Sequence, residues 1–191
     1  MPGVKTPTPL FITPRLVQNR PMQPAPSSTD LPAAILPFAL AGQAVMLAID
    51  TENEALTGIH ILYHATIPQA PRTSLAAEVA RQLRAYLDDP QHVFDLPLAL
   101  HGTPFQRRLW SALRGVPAGE TATYGQLVRR LGMRGGAQAV GQACRRNPLP
   151  IVLPCHRILA RTGIGGYAGQ REGEKLRFKR ALLAHEGVGG G

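Results

Sequence analysis

The chain has 191 residues, of which 44% are hydrophobic, and a formal net charge of +9. This length can build one medium domain or two small ones, and the absence of a long apolar stretch excludes a transmembrane helix. No basic-then-apolar secretory signal opens the chain, so we expect a cytoplasmic, intracellular protein of prokaryotic type. The two cysteines, Cys144 and Cys155, have no zinc-site spacing and are expected to be free thiols in a reducing cytosol. We expect no metal, no cofactor and no membrane partner.

The positive charge is concentrated in the central third of the chain. Between His101 and Ala160 there are nine arginines and a single acidic residue, Glu120. A concentrated cationic surface favours a polyanionic partner, most often nucleic acid. The alternative is a solvated arginine-rich face with no partner.

The N-terminal part of the chain divides into a tail and a small lobe. Residues 1–32 are rich in proline, threonine and serine, which predicts a disordered tail. Residues 33–101 are predicted to form an α/β lobe. Its predicted elements are antiparallel strands at Ala44–Asp50 and Gly58–Tyr63, an amphipathic helix at Ser74–Leu87 and a further strand at Phe94–Leu100.

Residues 102–188 are predicted to form a mainly helical second lobe. One helix is predicted to start near Thr103, and three more are predicted at Tyr124–Leu131, Gly135–Arg146 and Glu174–His185. Thr121 or Thr123 is the expected N-cap of the helix Tyr124–Leu131. Two short helices joined by a Gly-containing turn match the helix-turn-helix pattern, although many helical hairpins share it. The predicted fold class is α/β (α+β): a sheet-plus-helix lobe, then a helical lobe with a helix-turn-helix.

Cys155 is the candidate nucleophile. It follows Ile151–Leu153, an apolar run predicted as a buried strand that ends at Pro154, and it stands beside His156. Nearby arginines would lower the pKa of the thiol and favour a reactive thiolate. The alternative is a small buried hydrophobe, the usual fate of a free cysteine.

Several short motifs occur together in the second half of the chain. They are Tyr124-Gly125-Gln126-Leu127, Ala139-Val140-Gly141-Gln142-Ala143, Asn147-Pro148, Pro154-Cys155-His156-Arg157-Ile158, Gly166-Tyr167-Ala168-Gly169 and His185-Glu186-Gly187. In this order and near this spacing, they make the chain resemble the O6-alkylguanine-DNA alkyltransferases, or methylated-DNA–protein-cysteine methyltransferases. The resemblance covers about Thr103 to Gly187, and the N-terminal lobe is only compatible with it.

The resemblance implies direct reversal of DNA damage. An alkyl group would move once and irreversibly from O6 of guanine in duplex DNA to Cys155, with O4-alkylthymine left open as a second substrate. It implies that His156 acts as base through a bridging water and that Glu186 orients the imidazole. Tyr124, whose hydroxyl would hydrogen-bond the guanine N3, and Asn147, which would organise the turn near Cys155, complete the implied catalytic set.

The resemblance also implies that a monomer binds double-stranded DNA through the minor groove and flips the damaged nucleotide out of the helix. The DNA contacts expected on this basis are Tyr124, Gln138, Arg134, Ala139, Gly141, Arg145 and Arg157. The substrate pocket is expected at Tyr167, Ala168 and Gly169. The small residues of the Gly135–Arg146 helix suit entry into a narrow groove, or else tight packing against a neighbouring helix.

Three departures from the family pattern stand out. Gln138 replaces the arginine that usually fills the gap left by the flipped base, and Arg134 is a candidate substitute. Ala168 stands where some members have serine, and the segment Gln170–Glu174 lengthens the connection to the last helix. The rival functions are a non-catalytic alkyl-lesion sensor of the same fold, a plain helix-turn-helix regulator and a cysteine hydrolase.

Overall fold

A computed structural model describes residues 31–64, 66–170 and 172–189. Apart from Leu31 and Pro32, the predicted tail lies outside the described residues. Within the described ranges, no helix is long and apolar enough to span a membrane.

The first lobe contains a three-stranded antiparallel sheet. Strands β1 (Ala34–Leu40), β2 (Gln43–Glu52) and β3 (Ala55–Leu62) follow one another in that order. Both connections are two residues long with positive φ throughout, at Ala41-Gly42 and Asn53-Glu54. Such turns match the right-handed twist of paired strands. The predicted strands Ala44–Asp50 and Gly58–Tyr63 are therefore largely confirmed, and β1 is an additional strand.

The predicted strand at Phe94–Leu100 is wrong. The segment makes only an isolated parallel bridge, between Leu56 and Leu98. Phe94, Leu96 and Leu98 are nevertheless buried, at alternate positions of the segment. Pro97 contributes its carbonyl to Leu56 but has no N–H to give, and a proline cannot donate to a sheet.

Five α-helices complete the described fold: α1 (Ser74–Asp88), α2 (Pro104–Leu113), α3 (Tyr124–Arg130), α4 (Ala137–Arg145) and α5 (Glu174–His185). Four of them, α1, α2, α3 and α5, lie close to their predicted positions. The exception is α4, which starts later than the predicted Gly135, because Gly136 is its N-cap at φ 100°. A left-handed residue cannot lie inside a right-handed helix, and glycine adopts that conformation without steric cost.

Helices α3 and α4 are positioned by their neighbours. The Trp110 indole in α2 donates to the Ala143 carbonyl near the end of α4, at 2.9 Å. A short parallel pair joins β4 (Ala122–Thr123), directly before α3, to β5 (Ile158–Leu159), directly after the Cys155 turn. This pairing brings the start of α3 towards Cys155.

One hydrophobic core runs through both lobes. Phe38 of β1 stacks with Tyr86 of α1 and meets Phe178 of α5 edge-on, with ring centroids 6.5 and 6.1 Å apart. These three side chains and Leu109 belong to the same buried cluster. The N-terminal lobe therefore packs directly on the helix that leads to Glu186.

Candidate active site

A turn, and not the predicted strand, presents Cys155. Residues 151–153 form a turn in which Ile151 has φ 74°, and Cys155 begins a short 3₁₀ helix, Cys155–Arg157. The Asn147 amide holds this turn: its Nδ2 donates to the Leu153 carbonyl at 2.7 Å, and its Oδ1 accepts from Leu149 N at 3.0 Å. Pro150 and Pro154, at the two ends of the apolar run, cannot donate to a strand ladder. The Asn147 side chain makes the hydrogen bonds of the turn instead.

The Cys155 thiol is buried, with 7% of the residue exposed. Burial raises its pKa, whereas hydrogen bonding from Asn147 and the positive charge of Lys179 act in the opposite direction. The expectation that the neighbouring arginines supply the favourable charge is not supported, because the nearby cation that acts on Cys155 is Lys179. A buried thiol needs a base to become a nucleophile.

Lys179 is a functional candidate that sequence analysis missed. It lies in α5, is fully buried and donates from Nζ to the carbonyls of Ile158, Ile164 and Gly166 at 2.8, 2.8 and 3.3 Å. Burial lowers its pKa to about 8. The signal available in the sequence was its spacing: Lys179 falls three residues after Leu176 and three before Leu182, on the inward face of the helix.

His156 has one ring nitrogen held by a carboxylate and the other without a partner in the described part of the chain, as a general base requires. Its Nε2 lies 2.8 Å from Glu186 Oε1, while its Nδ1 is buried and has no hydrogen-bond partner among the described residues. Burial lowers the pKa of His156, which favours the neutral imidazole. Because the carboxylate accepts from Nε2–H, the lone pair of this neutral tautomer lies on Nδ1.

Glu186 remains ionised although it is buried. Burial alone would raise its pKa, but hydrogen bonds from His156 and Arg157 outweigh that effect and lower the pKa to about 2. The ionised carboxylate orients the imidazole and stabilises any imidazolium that forms, as in other base–orienter pairs. The predicted pairing of His156 with Glu186 is present in the structure.

The prediction that Arg157 contacts DNA is wrong, because its side chain is buried and bonded inside the protein. Its guanidinium donates from Nε and Nη2 to the two oxygens of Glu186, both at 2.9 Å, and from Nη1 to the Val116 carbonyl at 2.6 Å. The residue is buried. A buried carboxylate requires such a partner, and Arg157 therefore supports the Glu186–His156 pair from within.

Tyr86 is a second residue that sequence analysis missed. This buried side chain of α1 donates its hydroxyl to Glu186 Oε1 at 2.7 Å. Its backbone carbonyl accepts from His185 at 2.8 Å. In the sequence, Tyr86 occupies one apolar position of an amphipathic helix, so no local pattern distinguishes it from an ordinary core residue. The N-terminal lobe thus contributes a direct hydrogen bond to the site.

Tyr124 is the first residue of α3, where the capping box of Thr123 and Gln126 fixes the helix start. The alternative N-cap, Thr121, is not used. Burial raises the pKa of Tyr124 to about 12, with smaller contributions from Cys144 and Cys155. The phenol is therefore a protonated donor near the thiol. A Cβ at Gly141 of α4 would be 3.9 Å from the Tyr124 ring, so a small residue lies beside it.

The other expected DNA contacts lie on the outer side of α4 and the turn before it. Arg134, Gln138, Ala139 and Arg145 are exposed and Gly141 is half-buried. The opposite side of the helix buries Val140, Ala143 and Cys144. Their contact with DNA stays a prediction. Cys144 is a free, buried thiol whose pKa is raised by burial, in keeping with the structural role expected of it.

The predicted substrate pocket is a tight turn beside Cys155. Tyr167 and Gln170 exchange backbone hydrogen bonds of 2.8 and 2.9 Å, and the intervening Ala168 and Gly169 both have positive φ, at 46° and 85°. Tyr167 is buried, and its hydroxyl lies close enough to Cys155 to favour the thiolate. That hydroxyl nevertheless makes no hydrogen bond of normal geometry to the described residues. No cluster of metal-ligating side chains occurs in the described part of the chain.

Comparison with known proteins identifies the same region. The family model described as "6-O-methylguanine DNA methyltransferase, DNA binding domain" matches residues 104–188. A methylated-DNA–protein-cysteine methyltransferase of Shigella flexneri is 46% identical over 108 residues, which are 56% of this chain and 60% of the relative. The chain thus spans less than two thirds of that relative's length. A Mycobacterium bovis protein of the same name is 36% identical over 145 residues, covering 73% of this chain and 85% of its own.

The similarity extends to solved structures. The crystal structure of Mycobacterium tuberculosis OGT in complex with DNA aligns with a TM-score of 0.65 and 32% identity, over 82% of this chain and 94% of that one. A structure of the M. tuberculosis O6-methylguanine methyltransferase aligns with a TM-score of 0.64 over 80% and 91%. The fold, the match over residues 104–188 and the relatives agree: the chain belongs to the O6-methylguanine DNA methyltransferase family.

Proposed function

We propose that the protein repairs DNA by transferring a methyl or other alkyl group from O6 of guanine in duplex DNA to Cys155, once per molecule. One observation carries the proposal. The buried thiol adjoins His156, whose Nε2 is held by ionised Glu186 and whose Nδ1 is free to accept a proton. The names of the relatives, and the DNA in one structural neighbour, support the substrate class.

The reaction can be written with the residues present. The Cys155 proton passes to His156 Nδ1, directly or through a bridging water. The thiolate attacks the alkyl carbon, a sulfur–carbon bond forms and the carbon–O6 bond breaks, leaving its electron pair on guanine. The Tyr124 phenol, protonated because its pKa is about 12, hydrogen-bonds the developing guanine anion or gives it a proton. The product is a thioether, which no group in the site reverses.

The mode of DNA binding is part of the proposal. A target base inside a duplex must be rotated out before a buried thiol can reach its O6 atom. The exposed side of α4, with Gln138 and Ala139 near its start, is the surface we assign to the minor groove. Gln138 would fill the vacated space in the helix, assisted by Arg134. The protein would act as an intracellular monomer, and O4-alkylthymine is a candidate second substrate.

The stoichiometry of repair tests this proposal. A fixed amount of protein is mixed with increasing amounts of a duplex that contains one O6-methylguanine, and the residual lesion is counted. We expect lesion loss to stop at one per protein molecule, and Cys155→Ser to remove none while still binding. Continued turnover would favour a hydrolase. Tight lesion binding by the native protein without any loss would favour the non-catalytic sensor.

A further inference from the structure

Arg145, the last residue of α4, lies against the pocket turn at Gly169. It is exposed and has no hydrogen bond or ion pair with the described residues. A Cβ placed on Gly169 would nevertheless lie 2.5 Å from Arg145 Nε, 2.7 Å from Cζ and 3.1 Å from Cδ. Cβ atoms do not come that close to other heavy atoms, so the arginine fills the space beside Gly169, and a side chain at position 169 would require the arginine to shift.

The contact is made on a turn that also forms the wall of the reaction site. Gly169 lies two residues after Tyr167, and the backbone bonds between Tyr167 and Gln170 close this turn. Tyr167 extends inward to Cys155, while Arg145 covers the turn from the side of α4. Arg145 therefore packs against the same segment that carries Tyr167.

The packing of Arg145 leaves its polar groups available. A guanidinium has five N–H donors arranged in a plane and binds phosphate through two of them at once. None of these donors is used within the described residues, and the residue ends the helix assigned to the DNA surface. The same side chain can therefore bind a backbone phosphate and stay packed on Gly169.

We propose that Arg145 is a positioning residue for alkyl transfer as well as a DNA contact. It holds the Tyr167–Gln170 turn against α4, so that phosphate binding at the end of α4 fixes the wall of the base pocket. This inference rests on the proposed function. It predicts that loss of Arg145 slows the transfer step itself, beyond any loss of affinity for DNA.

Single-turnover kinetics separate the two roles. The rate of lesion loss is measured against protein concentration for Arg145→Ala and for Arg146→Ala, a matched control that removes the neighbouring exposed arginine. Both variants should raise the protein concentration needed for half-maximal rate. Only Arg145→Ala should lower the saturating rate, by up to about 100-fold, since a misplacement of about 1 Å in the reacting groups can cost that much.

A second pair of variants links the effect to the turn. Gly169→Ala should also lower the saturating rate, and the double variant Arg145→Ala/Gly169→Ala should be less impaired than the product of the two single effects, because the two residues share one contact. A saturating rate unchanged in Arg145→Ala would overturn the inference and leave Arg145 a plain phosphate contact. If the native protein removes no lesion at all, the proposed function fails instead, so the two failures are distinguishable.

Discussion

At the residue scale, the chemistry of the site depends on how buried charges are balanced. Cys155, His156, Lys179 and Glu186 are all buried, and burial disfavours the charged form of each. Glu186 is kept ionised by its hydrogen bonds, and Lys179 binds three carbonyls. A thiolate formed at Cys155 would therefore lie in a site that already contains a compensating positive charge, on Lys179, and a candidate base, His156.

Replacement of Lys179 tests that compensation. Lys179→Met removes the charge at similar length, so we expect the pKa of Cys155 to rise and alkyl transfer at neutral pH to slow by about tenfold, the effect of roughly 1.4 kcal/mol. Because burial lowers the pKa of Lys179 to about 8, the native charge is present at neutral pH and is lost as the pH rises through 8.

The measurement is the pH dependence of Cys155 alkylation by iodoacetamide, in a Cys144→Ala background. Lys175→Met, which removes a lysine from the same helix outside the reaction site, is the control. Superimposable titration curves for Lys179→Met and the unsubstituted background would show that the charge of Lys179 does not act on the thiol.

Glu186 links the site to the acid stability of the fold. Its folded pKa, about 2, is below the usual value of 4.5, so its stabilisation is fully present above about pH 4.5 and is lost as the pH falls towards 2. Glu186→Gln leaves the buried Arg157 charge uncompensated, which costs about 3–5 kcal/mol. Denaturant unfolding should show that the difference in free energy of unfolding between the native protein and Glu186→Gln narrows from pH 5 to pH 2. A difference that stays constant over this range would contradict the low pKa of Glu186.

At the element scale, the start of α3 fixes the position of Tyr124. Thr123 accepts from the Gln126 backbone, and the Gln126 side chain accepts in return from Thr123 N. Tyr124 follows at the first helical position, so its phenol depends on this cap. The parallel pairing of β4 with β5 then fixes the cap relative to the Cys155 turn.

The two threonines before α3 provide a matched test of the cap. Thr123→Ala should lower the free energy of unfolding by about 1 kcal/mol, the usual value of an N-cap, and should slow alkyl transfer. Thr121→Ala should leave both nearly unchanged, because Thr121 does not cap the helix. Chemical denaturation of the two variants checks the difference, and equal losses for both would be inconsistent with the capping box.

The comparison of prediction with structure is clearest at this scale. Helices α1, α2 and α3 were predictable because their threonine caps and apolar spacing are local signals. Helix α5 has no side-chain cap and was predictable from its apolar spacing alone. The segments 94–100 and 151–153 were not, because apolar runs beside prolines look alike whether they extend in a sheet or turn. The turn at Ile151 depends on the Asn147 amide, which donates to the Leu153 carbonyl and accepts from Leu149 N, and local sequence patterns do not show where that amide points.

At the scale of the whole molecule, the two lobes share the reaction site. Motifs in one half of the chain predicted Cys155, His156 and Glu186, but Tyr86 lies 100 positions from its partner Glu186. No local pattern connects residues so far apart. The N-terminal lobe therefore donates a hydrogen bond to the Glu186–His156 pair besides packing Phe38 against Phe178.

The DNA surface gives a further prediction at this scale. Gln138→Arg adds a cation at the position where family members usually have one, so we expect tighter DNA binding and faster repair of duplex DNA. The slope of log affinity against log salt concentration should become steeper by about 0.9, the value of one added phosphate contact.

Arg134→Ala should weaken DNA binding and slow repair. Binding at several salt concentrations checks both variants, and an Arg134→Ala variant with native affinity and rate would exclude Arg134 as the substitute.

The central claim is the identity of the alkyl acceptor, and mass spectrometry tests it most directly. The protein is mixed with excess duplex carrying one O6-methylguanine, and the intact mass and its peptides are measured. We predict the mass of one methyl-for-hydrogen replacement, confined to the peptide that contains Cys155. An unmodified protein, or the added mass on the peptide that contains Cys144, would contradict the account.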